Sequence, residues 1–337
     1  MTKRRRPRSS TGPDEPPALA LTLGDPAGIG PEILLKALRS PELRRLCIPV
    51  VVGDRGVLSR TAARLGLPDP FSGRRPRAVL VDVGLAPARL RPGRPSAAGG
   101  RVAMRCIQAA ARLAESGAVA GVVTAPISKR ALSLAGYRQW GHTEILARLT
   151  GARRAVMLFW SPRLSVTLLS IHVPLRRAIA AVTKRAVLEH LLFVNREWRR
   201  LFGARPRIAV AGLNPHAGEG GLMGSEDAKQ IAPAVASARR RGVRVRGPFP
   251  PDTIFRRASQ GEFDLVVAMH HDQGLIPMKL FDPARAVNVT LGLPWVRTSV
   301  DHGTAYDIAG RGVADPANLI EAVRLAARLA RVRRGSA

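Results

Sequence analysis

The chain is poor in several things, and each shortage narrows what it does. Cysteine occurs only at Cys47 and Cys106, far apart and each in an apolar-patterned segment. That usage argues against a disulfide framework or a cysteine metal pair. Both read instead as small buried hydrophobes in a reduced, cytoplasmic protein. No apolar run approaches the ~20 residues that cross a bilayer, so no membrane partner is expected. Aromatics make up 4% of the residues, and no aromatic-interleaved RNA motif or zinc-finger spacing occurs. Residues 1–17 are basic and Pro-rich without an apolar core, so they read as a disordered tail rather than a secretory signal; Asp14 and Glu15 argue against an organellar address.

Lysine is also scarce, although the formal net charge is +30. It stands only at Lys3, Lys36, Lys129, Lys184, Lys229 and Lys279, and the rest of the basic excess is arginine. The arginines are spread over helices and turns, as at Arg239, Arg240 and Arg241 or at Arg331, Arg333 and Arg334. The bias is compositional, and no dedicated nucleic-acid partner is expected. No internal repeat is present.

What the chain has is alternation. Apolar β-like runs are followed by amphipathic helical stretches, the pattern of an α/β protein with a mostly parallel sheet. Ala18 to Leu23 reads as a buried strand broken at Gly24-Asp-Pro-Ala-Gly-Ile-Gly30, after which Pro31 and Glu32 open a helix. Ile48 to Val52 and Ala120 to Thr124 read as further strands, and Ser96 to Ser116 as a long helix. Pro68 to Arg77 and Pro87 to Pro95 read as surface loops. Four later strands each run into a polar or turn cluster: Val166 to Ile171 into His172, Arg207 to Leu213 into His216, Asp264 to Met269 into His271, and Ala286 to Leu291 into Gly292-Leu293-Pro294. In open α/β sheets such carboxyl-terminal clusters are where ligands bind.

The 7 histidines divide accordingly. His190 lies in a helical stretch, Ala186 to Arg200, and reads as a packing or surface residue. His172, His216 and His271 together offer three neutral imidazoles, suited to zinc, cobalt, iron or nickel with positions left open for substrate. His270 adjoins His271 on a strand end, so the two point to opposite faces. Lys279, Asn288 and Arg297 are anion-binding candidates, a point charge and a bidentate fork. Lys129 joins Lys279 as a rare lysine just after a strand-end loop. His142 and Thr143 open a helix, where capping by Thr143 and substrate contact are both open. The loop Gly24 to Gly30 has neither the G-x-G-x-x-G order nor a P-loop Lys-Ser/Thr pair, so it carries no nucleotide assignment. Val300 to Gly310, through His302, Gly303, Thr304 and Ala305, is a polar turn followed by a helix-like run.

In order along some 300 residues, the segments Gly24–Glu32, Thr124–Lys129, Gly141–Glu144, His172–Leu175, Gly212–Gly221, Pro251–Thr253, His271–Gly274, Asn288–Pro294 and Arg297–Thr304 resemble the 4-hydroxythreonine-4-phosphate dehydrogenases. Gly24–Gly30 and His302–Gly310 also resemble the isocitrate and isopropylmalate dehydrogenases. The resemblance implies two α/β/α lobes with a cleft between them, unlike a Rossmann domain: 18–128 plus 292–333 on the dinucleotide side, and 129–291 on the metal, substrate and dimer side. It implies a homodimer with shared active sites and one divalent metal per site (zinc, magnesium or cobalt), held by His172, His216 and His271 with one contributed across the dimer. It implies substrate binding by His142, Thr143, Lys279, Asn288 and Arg297, and NAD (NADP being possible) at His302, Gly303, Thr304 and Ala305. Asp252, Asp272 and Lys129 are the candidates for general base. The implied reaction is oxidation of 4-phosphohydroxy-L-threonine, with threonate or erythronate 4-phosphate or an aromatic cis-dihydrodiol as the alternatives.

Overall fold

The computed structural model describes residues 15–72, 77–87, 90–138 and 141–335. Most of the basic tail, parts of the two Pro-rich loops, and Trp140 beside the His142 motif lie outside the described residues. Among the described residues, eleven strands form one sheet: β1 (Ala18–Thr22), β2 (Ile48–Gly53), β3 (Val79–Asp82), β4 (Gly121–Thr124), β5 (Val156–Trp160), β6 (Ser165–Leu168), β7 (Ile208–Ala211), β8 (Val245–Phe249), β9 (Leu265–Ala268), β10 (Val287–Leu291) and β11 (Val296–Val300). Their spatial order is β3-β2-β1-β4-β11-β10-β5-β6-β9-β7-β8.

The continuous apolar runs read from the sequence become strands buried on both faces, as helix-covered parallel strands must be. In β9, Leu265 and Val267 join one hydrophobic cluster while Val266 and Ala268 join the other. The helices begin where the caps say. Ser96 accepts from the Gly99 amide at 3.0 Å to open Ala97–Glu115, and Thr183 accepts from the Ala186 amide at 3.2 Å to open Lys184–Phe202. His190 is a core residue, not a surface one: its Nε2 pairs with the Thr167 hydroxyl at 3.1 Å. Both cysteines are buried and unpaired.

The strand directions matter most for function. β3, β2, β1, β4 and β11 run one way, each pairing in parallel. β10 is antiparallel to both β11 and β5, and β5 is antiparallel to β6. From β6 onward the strands are parallel to one another again but reversed relative to the first half. This reversal separates the sheet from a doubly wound sheet whose strands all point one way.

It also corrects one expectation. Gly292-Leu293-Pro294 is the turn of the β10–β11 hairpin, at the end of the sheet remote from Asn288, and carries no site chemistry. There Gly292 has φ +94°, and a Cβ on it would lie 2.2 Å from the Arg154 carbonyl oxygen, so the turn requires glycine. Arg297 sits inside strand β11.

Candidate active site

Register puts the site on one face of the sheet. Asn288 of β10 pairs with Phe159 of β5 on one side and Ser299 of β11 on the other, and Ser299 pairs in turn with Thr124 of β4. Side chains alternate along a strand, so Phe159, Asn288, Ser299, Thr124 and their i±2 neighbours Met157, Thr290 and Arg297 share that face. All of them except Thr290 line a cleft of about 360 Å³.

Because the two halves of the sheet run in opposite senses, the cleft gains walls from both. The β4 and β11 ends contribute Lys129, His302 and Gly303, and the β6 and β9 ends contribute His172, His271 and, one helix further on, Lys279. The helix His142–Thr150 closes one side with His142 and Thr143. Its N-cap is Gly141, whose amide donates to Glu144 Oε2 at 3.0 Å; Thr143 is the second helical residue, not the cap, which corrects one of its two readings. Thr304 and Ala305 lie behind His302 and Gly303 rather than on the cleft surface, since the Thr304 carbonyl accepts from the Ile29 amide at 3.0 Å.

Arg297 is 2% exposed and forms no ion pair among the described residues. Its Nη1 donates to Thr290 Oγ1 at 2.9 Å and its Nη2 to Thr124 Oγ1 at 2.7 Å, which leaves Nε buried and unpartnered. Burial lowers its pKa to about 9, opposed by the nearby Glu144 carboxylate, so it stays charged at neutral pH. Two other buried polar atoms of the same cleft lack partners, His142 Nε2 and Asn288 Oδ1. Burial, then the Arg297 charge, pushes His142 well below the usual histidine range, so it is neutral. A buried cation and unpaired polar atoms around one cavity are costly unless a ligand completes them. Lys279 stands at the mouth, its Nζ 3.2 Å from Asp301 Oδ2.

The histidines divide between two places. His172 and His271 face each other across the cleft with ring centroids 5.8 Å apart. His172 is held below the usual histidine value by burial first, then by Lys129 and His271, so its imidazole is the neutral, metal-competent form. His271 Nδ1 meets Asp272 Oδ1 at 2.6 Å, which fixes the ring, the usual support for a metal-bound histidine. The pair fits a divalent cation as two of its ligands.

His216 is not with them. It lines a neighbouring cavity of about 880 Å³ with His270, Asp252 and Asp272. No group of three or more metal-ligating side chains occurs among the described residues. The adjacent His270 and His271 line different cavities, although β9 ends at Ala268 and the pair forms the N-cap and first residue of the helix His271–Phe281 rather than a strand end. His172 and His216 both have left-handed backbones, φ 48° and 51°, a strain that buttressing must offset. For His216 the buttress is Asp227, buried and accepting from the Leu213 amide at 2.8 Å and the Asn214 amide at 3.1 Å.

The dinucleotide candidates also fit a ligand. A Cβ added at Gly303 would meet nothing within 4 Å, so this stretch opens onto free space beside the cleft. Sequence reasoning did not single out Thr124, Met157, Phe159, Glu144 or Asp301. The strand register would have found the first three had β5 and β11 been recognised. Glu144, three residues past Gly141, carried the signal of an N3 acidic partner.

Comparison with known proteins shows the family. A family described as pyridoxal phosphate biosynthetic protein PdxA matches residues 45–326. A 4-hydroxythreonine-4-phosphate dehydrogenase from Geobacter metallireducens is 46% identical over 331 residues, covering 95% of this chain and 98% of the relative. A putative D-threonate 4-phosphate dehydrogenase from Bradyrhizobium diazoefficiens is also 46% identical, covering 93% and 96%. The crystal structure of 4-hydroxythreonine-4-phosphate dehydrogenase from Klebsiella pneumoniae superposes with a TM-score of 0.84 at 42% identity, covering 94% of this chain and 98% of that one. The chain belongs to the PdxA family.

Proposed function

We propose that this protein is a metal-dependent, NAD-linked dehydrogenase that oxidises the secondary alcohol of 4-phosphohydroxy-L-threonine. The C3–H leaves as hydride to NAD⁺ and the hydroxyl proton goes to a base. The resulting 2-amino-3-oxo acid loses CO₂ to give 3-amino-2-oxopropyl phosphate, on the way to pyridoxal phosphate. The observation that carries this reading is the buried guanidinium of Arg297, without an ion pair among the described residues, beside the unpartnered Asn288 Oδ1 and His142 Nε2. Such a slot calls for an anion with further polar groups attached.

On this reading Arg297, Lys279 and Asn288 bind the phosphoryl end, and His142 and Thr143 orient the rest of the substrate. A divalent cation at His172 and His271 (zinc, magnesium or cobalt) supplies Lewis acidity toward the substrate hydroxyl. Lys129 is the general-base candidate that lines the cleft of its own chain. Asp272 orients His271, and Asp252 waits beside His216. NAD, with NADP as the variant, takes the His302–Ala305 side, between lobes 18–128 plus 292–333 and 129–291.

The placement of His216 supports a homodimer in which a partner supplies the third ligand. So do Ile276 and Leu280, 59% and 78% exposed on the wall of the same cavity. Buried unpaired cysteines support a cytoplasmic location. Equal identity to a relative named for D-threonate 4-phosphate favours that substrate as the second reading. The test is NADH absorbance with 4-phosphohydroxy-L-threonine, D-threonate 4-phosphate and D-erythronate 4-phosphate, each with and without chelator. Preference for the first, abolished by chelation, supports the proposal. Preference for a sugar-acid phosphate moves the substrate and keeps the chemistry.

A further inference from the structure

The motif Gly24–Glu32 looks like a phosphate cradle and is not built as one. Three amides that would face a phosphate are already occupied. Ala27 N donates to Asp25 Oδ1 at 2.8 Å, Gly28 N to the Asp25 carbonyl at 3.1 Å, and Ile29 N to the Thr304 carbonyl at 3.0 Å. A fully buried carboxylate, Asp25, also stands where an anion would have to come. The glycines serve close approach instead. A Cβ on Gly28 would lie 2.8 Å from the Thr304 carbonyl oxygen, and one on Gly24 2.4 Å from that of Pro126.

The motif thus grips the segment after β11. Tyr306 Oη donates to Asp25 Oδ2 at 2.6 Å and also reaches Ser128 and Thr304. Ser128 caps the helix that begins with Lys129, accepting from the Ala131 amide at 3.1 Å. The far end of the segment is held as firmly. Glu32 accepts from the Ala314 amide at 2.8 Å, and Lys36 donates to the Gly312 and Ala314 carbonyls at 2.8 and 2.6 Å. Between the held Thr304 and Tyr306, Ala305 keeps a left-handed φ of 41°, which needs such bracing.

We propose that Asp25, acting through the Tyr306 hydroxyl, is the positioning residue that sets the His302–Ala305 backbone for the nicotinamide dinucleotide. The inference rests on the reading that this segment holds the cofactor. Removing the hydroxyl costs its hydrogen bond to the Asp25 carboxylate together with its contacts to Ser128 and Thr304 and loosens the segment, while the cleft floor that binds the hydroxy acid is untouched.

The experiment titrates NAD⁺ into the purified protein by calorimetry and measures both KM values. Tyr306→Phe should weaken NAD⁺ binding about tenfold, the worth of one charge-assisted bond, with kcat and the hydroxy-acid KM changed less than about twofold. Asp25→Asn, which keeps the shape and removes the charge, should weaken NAD⁺ in the same direction by about threefold. NAD⁺ affinity unchanged in both variants, or an equal rise in both KM values, overturns the inference. Gly303→Val places a side chain in open space beside the cleft and separates the two failures. If it weakens NAD⁺ and Tyr306→Phe does not, only the positioning role falls. If it leaves NAD⁺ binding intact, the cofactor assignment falls and the inference with it.

Discussion

Arg297 Nη2 donates to the hydroxyl of Thr124 at 2.7 Å, across the parallel pair β4–β11. A neutral partner orients the guanidinium flat on the cleft floor without cancelling its charge. A carboxylate at the same place would satisfy Arg297 and leave nothing for a substrate.

Replacement of Arg297 by methionine, of similar volume, should therefore separate binding from stability. Removing an uncompensated buried charge is neutral or stabilising, so thermal denaturation should show an unchanged or raised Tm. The KM for the phosphorylated substrate should rise about 100-fold, from the loss of charge-assisted hydrogen bonds. A collapse of Tm would make Arg297 a structural residue instead.

The separation of His216 from His172 and His271 makes a prediction about pairs of subunits. His216→Ala and His271→Ala proteins should each be inactive alone. Mixed and allowed to exchange subunits, they should regain about a quarter of wild-type sites, since half the dimers are mixed and each has one intact site. Sites built within one chain would give no recovery.

His190 links stability to pH. Burial, and secondarily Arg154, lowers its pKa to about 3 in the folded state, against about 6.5 unfolded. The unfolded chain thus binds the extra proton between those values. The contribution is complete above pH ~6.5 and is lost at about 1.4 kcal/mol per pH unit as the pH falls toward 3. Urea unfolding at pH 7.5, 6.0 and 5.0 should show the wild type losing stability faster than His190→Gln, which keeps hydrogen-bonding atoms but does not titrate. Parallel losses would mean that His190 is protonated in the fold.

Much of this site was legible because its residues follow strands closely. His172, His271 and Lys129 stand just beyond the ends of β6, β9 and β4, where a linear reading looks first. What the reading could not see was direction. Gly292–Pro294 was expected to carry chemistry because it ends an apolar run, but β10 runs opposite to its neighbours and its start, not its end, reaches the cleft. Strand β11 was hidden by Arg297, a charge that interrupts the apolar pattern in mid-strand and is nonetheless buried. Asp25 and Tyr306 lie 281 positions apart, and no local pattern announces such a pair. His216 was grouped with His172 and His271 because each closely follows a strand, and one chain's fold keeps it in the next cavity.

The central claim is that the cleft is built around a phosphoryl group, and one comparison tests it most directly: kcat/KM for 4-phosphohydroxy-L-threonine against its unphosphorylated counterpart, 4-hydroxy-L-threonine, in NADH-forming assays with metal present. Two or more charge-assisted bonds from Arg297 and Lys279 should favour the phosphorylated compound by about 1,000-fold or more. Equal turnover of the two compounds would contradict the account.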